Sequence, residues 1–247
     1  MKFDIITIFP HIFDSYLNES ILKRAQEKKL IKIKVHNLRD FTKDKHKKVD
    51  DRPYGGGVGM VLQIQPLVWA VEFVKSKIKN QKSKKRVILF SPTGKQFNNK
   101  IAAQLAKNCN HLILICGRYE GIDARFKKVI SDFGFRISDL SLGPYVLTGG
   151  ELPAMILIDA VSRQIPGVLG KQESLEEKRF GVGLPAYTRP EVFVYKPPHQ
   201  MRIDAKGVKK DKFSLWCGGK GKKYPVPKIL LSGNHKKIEE WRKKQVK

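Results

Sequence analysis

Three short segments set polar side chains beside glycines, which leave the neighbouring backbone bare. In HLILICGRYEGID, residues 111–123, Gly117 and Gly121 bracket Arg118, Tyr119 and Glu120. In SLGPYVLTGGELPA, residues 141–154, Gly143, Gly149 and Gly150 are interspersed with Ser141, Leu142, Tyr145, Leu147 and Pro153. Side chains of these types next to free amides and carbonyls suit loops that hold a small polar ligand, since glycine permits both positive φ and close approach. In DDRPYGGGVGM, residues 50–60, Asp50, Arg52 and Tyr54 stand next to Gly55, Gly56 and Gly57, with four glycines in five residues. A loop of that kind can close over a base or a phosphate. It is not a dinucleotide fingerprint, because no strand precedes it and the GxGxxG order is missing; nor does SPTGK, residues 91–95, complete a phosphate-binding P-loop. Taken singly, each turn also reads as a tight connection or a flexible spacer.

The elements that must position these loops follow from periodicity. Residues 112–115 are an unbroken apolar run, the pattern of a strand buried on both faces. Apolar residues at 5, 6, 8 and 9 predict a buried strand closed by Pro10, and helical spacing predicts one helix over 11–29. Alternation predicts a strand with one wet face over 31–36. A long connection, 37–65, precedes a helix over 66–79, a strand over 86–90, a helix over 98–106, the strand at 112, a short helix over 122–128 and a strand over 133–137. A helix over 151–163 follows the second glycine turn. Such alternation means an α/β domain with a mainly parallel sheet. The loops after Phe90, Cys116 and Asp139 then leave one sheet edge, where open α/β sheets bind ligands.

From residue 170 the periodicity fails, and only a short amphipathic helix over 236–244, with Ile238 and Trp241 on one face, is legible beyond it. The expected division is a main domain over 1–169, a linker or mobile loop over 170–191 and a small basic module over 192–247.

With 247 residues, 41% of them hydrophobic, the chain can bury a sizeable core. No apolar run reaches the length of a membrane-spanning helix, and MKFDIITIFP lacks the basic region and cleavage site of a signal peptide. Cys109, Cys116 and Cys217 fit neither a disulfide framework nor a zinc site. A cytoplasmic protein without a structural metal or a membrane partner is expected. Lys and Arg number 49 against 23 Asp and Glu, a formal net charge of +26. Residues 196–247 carry 16 Lys or Arg against four acids. A field of that sign favours polyanions, although a lysine-rich genome would raise the count without any partner.

Together these segments resemble the bacterial tRNA guanine-N1 methyltransferases of the TrmD family and SPOUT superfamily. The matching stretches are RDFTKDKHKKVDDRPYGGGVGM (39–60), SPTGK, CGRYEGID, the run 141–170, YTRPEV (187–192) and LLSGNHKKIEEWR (230–242), in family order across nearly the whole chain. The resemblance implies a SPOUT-type α/β fold with a C-terminal trefoil knot, which periodicity alone would exclude because knots are rare. It further implies a homodimer with active sites at the subunit interface, S-adenosylmethionine as methyl donor, tRNA as partner, and methylation of the guanine just 3′ of the anticodon. It leaves a Mg2+ requirement open.

Carried over motif by motif, the cofactor residues are Ser91, Pro92 and Gly94; Gly117, Tyr119, Glu120 and Gly121; and Ser141, Leu142, Gly143, Tyr145, Leu147, Gly149, Gly150 and Pro153. Asp50, Arg52, Tyr54, Gly55, Gly56, Gly57, Ser232, Asn234 and His235 fall on the substrate side. Guanine N1 carries a proton that a base must remove. The family uses an Asp for this, aligned here with Glu173, with Glu176 and Glu177 as rival acids, and an Arg that corresponds to Arg163.

The chain departs from the family pattern at Glu173, at Pro144 in place of an Asp, and at Gly183 in place of an acid. It also carries a basic insertion over 196–223 containing Phe213 and Trp216. Pro144 and the change from Asp to Glu173 motivate the alternative of a catalytically impaired paralogue that binds RNA.

Overall fold

A computed structural model describes residues 1–78, 84–170, 175, 184–195 and 221–245. The chain divides into two compact units, Met1–Leu175 and Glu176–Lys247.

In the first unit, strands β1 (Lys2–Thr7), β2 (Lys32–Asn37), β5 (Lys85–Gln96), β6 (His111–Ile115) and β7 (Arg136–Ser141) form one sheet in the order β2-β1-β6-β5-β7. Every pairing in it is parallel. Parallel strands need crossovers, and helices α2 (Ser20–Glu27), α3 (Ile64–Ser76), α4 (Asn99–Asn108), α5 (Arg125–Asp132) and α6 (Glu151–Arg163) supply them or follow the last strand. Strand alternation sorts the core into two layers. Phe3, Ile5, Ile88, Leu112 and Leu114 pack with α2, α4 and α6 on one face, while Ile6, Val87, Ile113 and Ile115 pack with α3 and α5 on the other. β6 is buried at all five positions, as its apolar run predicts.

The helix expected over 11–29 is three pieces: a 3-10 turn Pro10–Phe13, α1 (Asp14–Leu17) and α2. Asn18 interrupts it by donating its side-chain amide to the Asp14 carbonyl, Glu19 is extended and Ser20 takes φ 47. The apolar periodicity survives because Phe13, Leu17, Leu22 and Ala25 still face one core layer. The helix expected at 122 starts at Arg125, because Ile122 bridges to Leu62 and Asp123 accepts the Arg125 amide. The strand expected at 133 starts at Arg136, after Gly134 ends α5 with φ 79.

β5 runs beyond its expected end. Phe90 and Lys95 both stand opposite Leu140, so residues 91–94 loop out as a bulge within the strand. The long connection contains a 3-10 turn, Leu38–Phe41, and a hairpin of β3 (Asp50–Asp51) and β4 (Val61–Leu62) whose turn holds the glycine-rich loop.

The second unit contains an antiparallel hairpin of β8 (Val192–Tyr195) with β9 (Lys222–Pro225), then α7 (Lys228–Leu231) and α8 (His235–Gln245). The hairpin falls where no periodicity is legible, because its two strands pair across a long separation. α8 covers the helix read over 236–244, and Trp241 packs against the Tyr187 ring at 6.4 Å. Glu173, Glu176, Glu177, Gly183, Phe213 and Trp216 lie outside the described residues. Among the described residues, no helix is long and apolar enough to cross a membrane, and no cluster of His, Cys, Asp and Glu could hold a metal ion.

Candidate functional site

A cavity of about 530 Å³ opens at the C-terminal ends of β5, β6 and β7. These are adjacent strands, so the loops that follow them converge by topology. Of the residues read as cofactor contacts, Ser91 and Pro92 line it from the β5 bulge, and Gly117, Tyr119, Glu120 and Gly121 from the loop after β6. Ser141, Leu142, Tyr145, Leu147, Gly149, Gly150 and Pro153 line it from the segment between β7 and α6. Gly94 and Gly143 are not in the lining.

Close approach, not positive φ, explains the glycines of the third loop. Positive φ occurs at Gly121 but at none of Gly143, Gly149 and Gly150. A Cβ on Gly150 would lie 2.6 Å from Cys116 Cα, and the Gly150 amide donates to the Gly117 carbonyl at 2.9 Å. The third loop is thus pressed backbone to backbone onto the second. Gly94 does the same for the first, since its Cβ would meet the Leu140 amide nitrogen at 2.7 Å. Tyr119 holds φ 58, a conformation a bulky residue adopts only when its surroundings impose it.

A buried polar strut, not read as a site from the sequence, fixes these loops. Glu151, 1% exposed at the N-terminus of α6, accepts from Thr7 Oγ1 at 2.8 Å and from Arg118 Nε at 2.9 Å. Arg118 also donates to the Thr148 carbonyl at 3.3 Å, and its guanidinium stacks 4.7 Å from the centre of the Phe9 ring. One carboxylate therefore ties the end of β1 to the second and third loops. Arg118 and Glu151 each stood inside a recognised motif. Their partnership was not legible, because 33 residues separate them and Thr7 lies 144 from Glu151.

Lys127 and Asp139 also line the cavity and form an ion pair at 2.5 Å; the other Asp139 oxygen is buried without a hydrogen-bond partner. Asp123, again in the lining, sits below the usual carboxylate range, chiefly through the hydrogen bond from the Arg125 side chain.

The glycine-rich hairpin docks on the second loop. Glu120 donates its amide to the Met60 carbonyl and Leu62 donates to the Gly121 carbonyl, both at 3.0 Å. Asp50 is half-buried in β3, whereas Arg52 and Gly55, Gly56 and Gly57 are exposed and Tyr54 is 99% exposed. Arg163, half-buried at the end of α6, makes no hydrogen bond or ion pair among the described residues. One turn earlier, Asp159 accepts the Tyr16 hydroxyl, and that bond pushes the Tyr16 phenol up to about 12. In the second unit, Asn234 caps α8 by accepting the Lys237 amide at 3.1 Å, Ser232 accepts the Asn234 amide at 3.2 Å, and His235 begins the helix. The described contacts of Ser232 and Asn234 are those of a helix cap.

Comparison with known proteins gives a consistent result. Residues 1–204 match the family model described as tRNA (Guanine-1)-methyltransferase TrmD. A tRNA (guanine-N(1)-)-methyltransferase of Dictyoglomus turgidum is 48% identical over 99% of this chain and 84% of its own length. Proteins of the same name from Geobacter sp. (strain M21) and Clostridioides difficile are 45% and 44% identical over 99% of this chain, covering 84% and 92% of their own lengths. The chain belongs to the tRNA (guanine-1)-methyltransferase family.

Proposed function

We propose that this protein transfers a methyl group from S-adenosylmethionine to N1 of the guanine immediately 3′ of the anticodon in tRNA. The cavity where three loops expose bare backbone at one sheet edge carries the reading, in a chain whose relatives are named for guanine-N1 methylation of tRNA. The residues present fit such a donor. The volume suits a small-molecule site, Leu89, Ile115, Ile122 and Leu142 give it an apolar lining, and the Glu120 carboxylate has no partner among the described residues. Glu120 would hold positive charge, and the backbone at Gly117 and Gly149 would meet the nucleoside. When bound, S-adenosylmethionine supplies an electrophilic methyl group on its sulfonium sulfur.

The chain's own residues must bare the N1 lone pair and hold the developing charge. Glu173 would accept the N1 proton, and Arg163, with its guanidinium uncommitted and at the end of α6 away from its own protomer's cavity, would stabilise charge on the oxygen of a guanine held in the other protomer's cavity. Tyr54, at the tip of the glycine-rich hairpin, suits stacking on a base that has left the RNA stack. Phe9 and Ile12, with Leu152 and Ile156 in the first half of α6, are exposed apolar side chains, which supports a homodimer with the active site at its interface. Residues 192–247 would then be a basic tRNA-binding module. The trefoil knot belongs to the same reading and rests on the family alone.

The test is methyl transfer to tRNA transcripts carrying guanine or adenine 3′ of the anticodon, with and without Mg2+. Product is expected only with guanine. Arg163→Ala should lower kcat by about a hundredfold to a thousandfold, as for loss of one charge-stabilising donor, and Glu173→Ala should do the same with donor binding retained in calorimetry. Absence of product with the unmodified chain would overturn the assignment.

A further inference from the structure

The edge of the sheet opposite the cavity carries cations that the fold does not explain. Lys32 stands in register with Lys2, Lys2 with His111, and His111 with Lys85. Arg86 stands in register with Arg136 on the other face. Neighbouring parallel strands lie about 4.8 Å apart, and like charges directly opposite one another on a sheet are destabilising. His111 is committed to the buried Asp4; Lys2, Lys32, Lys85, Arg86 and Arg136 form no ion pair with any described residue, Arg86 donating to the Ser138 hydroxyl and Lys85 lying 5.9 Å from the centre of the Phe135 ring.

Helix dipoles account for at most one of them. The helices end at this edge, where Lys28, Lys77, Lys107 and Arg163 beside the ends of α2, α3, α4 and α6 answer the partial negative charge; α5 has no basic residue in its last turn, and of the strand-start cations Arg136 alone follows it. In a parallel sheet the weak strand dipoles are aligned with their positive ends at the strand starts, so cations there have no such counterpart. The field is felt locally: burial raises the Cys109 thiol pKa, while Arg86, Arg136 and Lys84 pull it down. A run of strand starts bearing cations without counter-ions is the arrangement that the phosphates of a polyanion would relieve.

We propose that this basal edge is a second RNA-binding surface, which contacts the phosphate backbone at a distance from the cavity. Strands of five or six residues put the two edges on the order of 15–20 Å apart, so the nucleotide held in the cavity cannot itself reach it. The phosphates belong either to a remote part of the same tRNA or to a second RNA, and stoichiometry separates the two. The proposal takes RNA as partner from the proposed function, but its readout is binding and does not need methyl transfer.

The experiment compares the unmodified full chain with a basal variant, K2Q/K32Q/R136Q, and with a control of equal charge change on helix surfaces away from this edge, K23Q/K100Q/K128Q. Binding of a tRNA transcript is measured across a salt series. The basal variant should lose about 0.7–0.9 of log–log salt slope for each phosphate contact removed, with kcat at saturating tRNA unchanged. The control should lose less slope. Thermal melting should show no loss of stability in the basal variant, since the change removes repulsion. Two RNA molecules per protomer falling to one in the basal variant identifies a second RNA; one in both identifies a second contact with the same tRNA. Equal slopes in the basal and control variants, or a basal slope equal to that of the unmodified chain, overturn the proposal.

Discussion

Glu151 is the side chain on which the geometry of the site converges, because both its oxygens are used and neither reaches water. It stands in the first turn of α6, and Arg118 supplies its counter-ion at 2.9 Å. Glu151→Gln keeps the size and an oxygen that can accept from Thr7, but it turns an amide N–H toward the Arg118 donors. Arg118→Ala leaves the carboxylate buried and unpaired and removes the contact with Phe9. Breaking one partner of a buried pair costs about 3–5 kcal/mol, so Arg118→Ala should lower the denaturant midpoint most and Glu151→Gln less. Both act through loop position and not on the reacting atoms, so KM for the methyl donor should rise more than kcat falls. Steady-state kinetics alongside urea unfolding checks this, and a fall in kcat at constant KM would contradict the positioning role.

At the scale of elements, two neighbouring glycines separate a packing requirement from a binding one. Alanine at Gly150 would set its Cβ 2.6 Å from Cys116 Cα and 3.0 Å from the Gly117 nitrogen, both backbone atoms that cannot swing aside. Overpacking of that kind costs about 1–3 kcal/mol and should part the second and third loops. Alanine at Gly117 would meet only Ile122 Cγ2 at 3.8 Å, an ordinary contact, and Gly117 is not in the left-handed region. Gly117→Ala should therefore melt within a few degrees of the unmodified chain, about 0.5 kcal/mol, yet bind S-adenosylmethionine more weakly because its methyl narrows the cavity. Calorimetry and thermal melting of the two variants decide it.

The same scale shows what the sequence made legible. β6, α6 and the convergence of three loops follow from apolar runs and glycine spacing within a few residues. The β5 bulge and the β8–β9 hairpin depend on partners far along the chain, and the break at Asn18 rests on one side-chain bond to the Asp14 carbonyl that apolar periodicity does not register. Glu173 was reached only through family order, since one Glu among several in a polar stretch has no local signature.

For the whole molecule, the informative group is the charge buried inside the sheet. Asp4 lies on the face packed by α3, between His36 at 2.6 Å on β2 and His111 at 2.5 Å on β6, and the His36 ring meets Phe73 of α3 edge-on at 5.9 Å. Burial alone would raise the Asp4 pKa, but the hydrogen bonds from His111 and then His36 outweigh it, so the carboxyl is held well below its ordinary value of 3.8. An ionised carboxylate only accepts, so each histidine donates from Nε2. Because the folded pKa lies below the unfolded one, the unfolded chain takes up this proton first as pH falls. The stabilisation is complete above the unfolded value and is lost as pH drops through the folded one, a window below about pH 4. Asp4→Asn removes the linkage and leaves one histidine facing an amide donor. It should cost at least about 2 kcal/mol at neutral pH and flatten the acid limb of the stability curve below pH 4, with little effect on the cavity at the opposite end of the strands. Urea unfolding of both proteins from neutral pH down to pH 3 is the measurement, and parallel acid limbs would show that Asp4 does not carry the pH dependence.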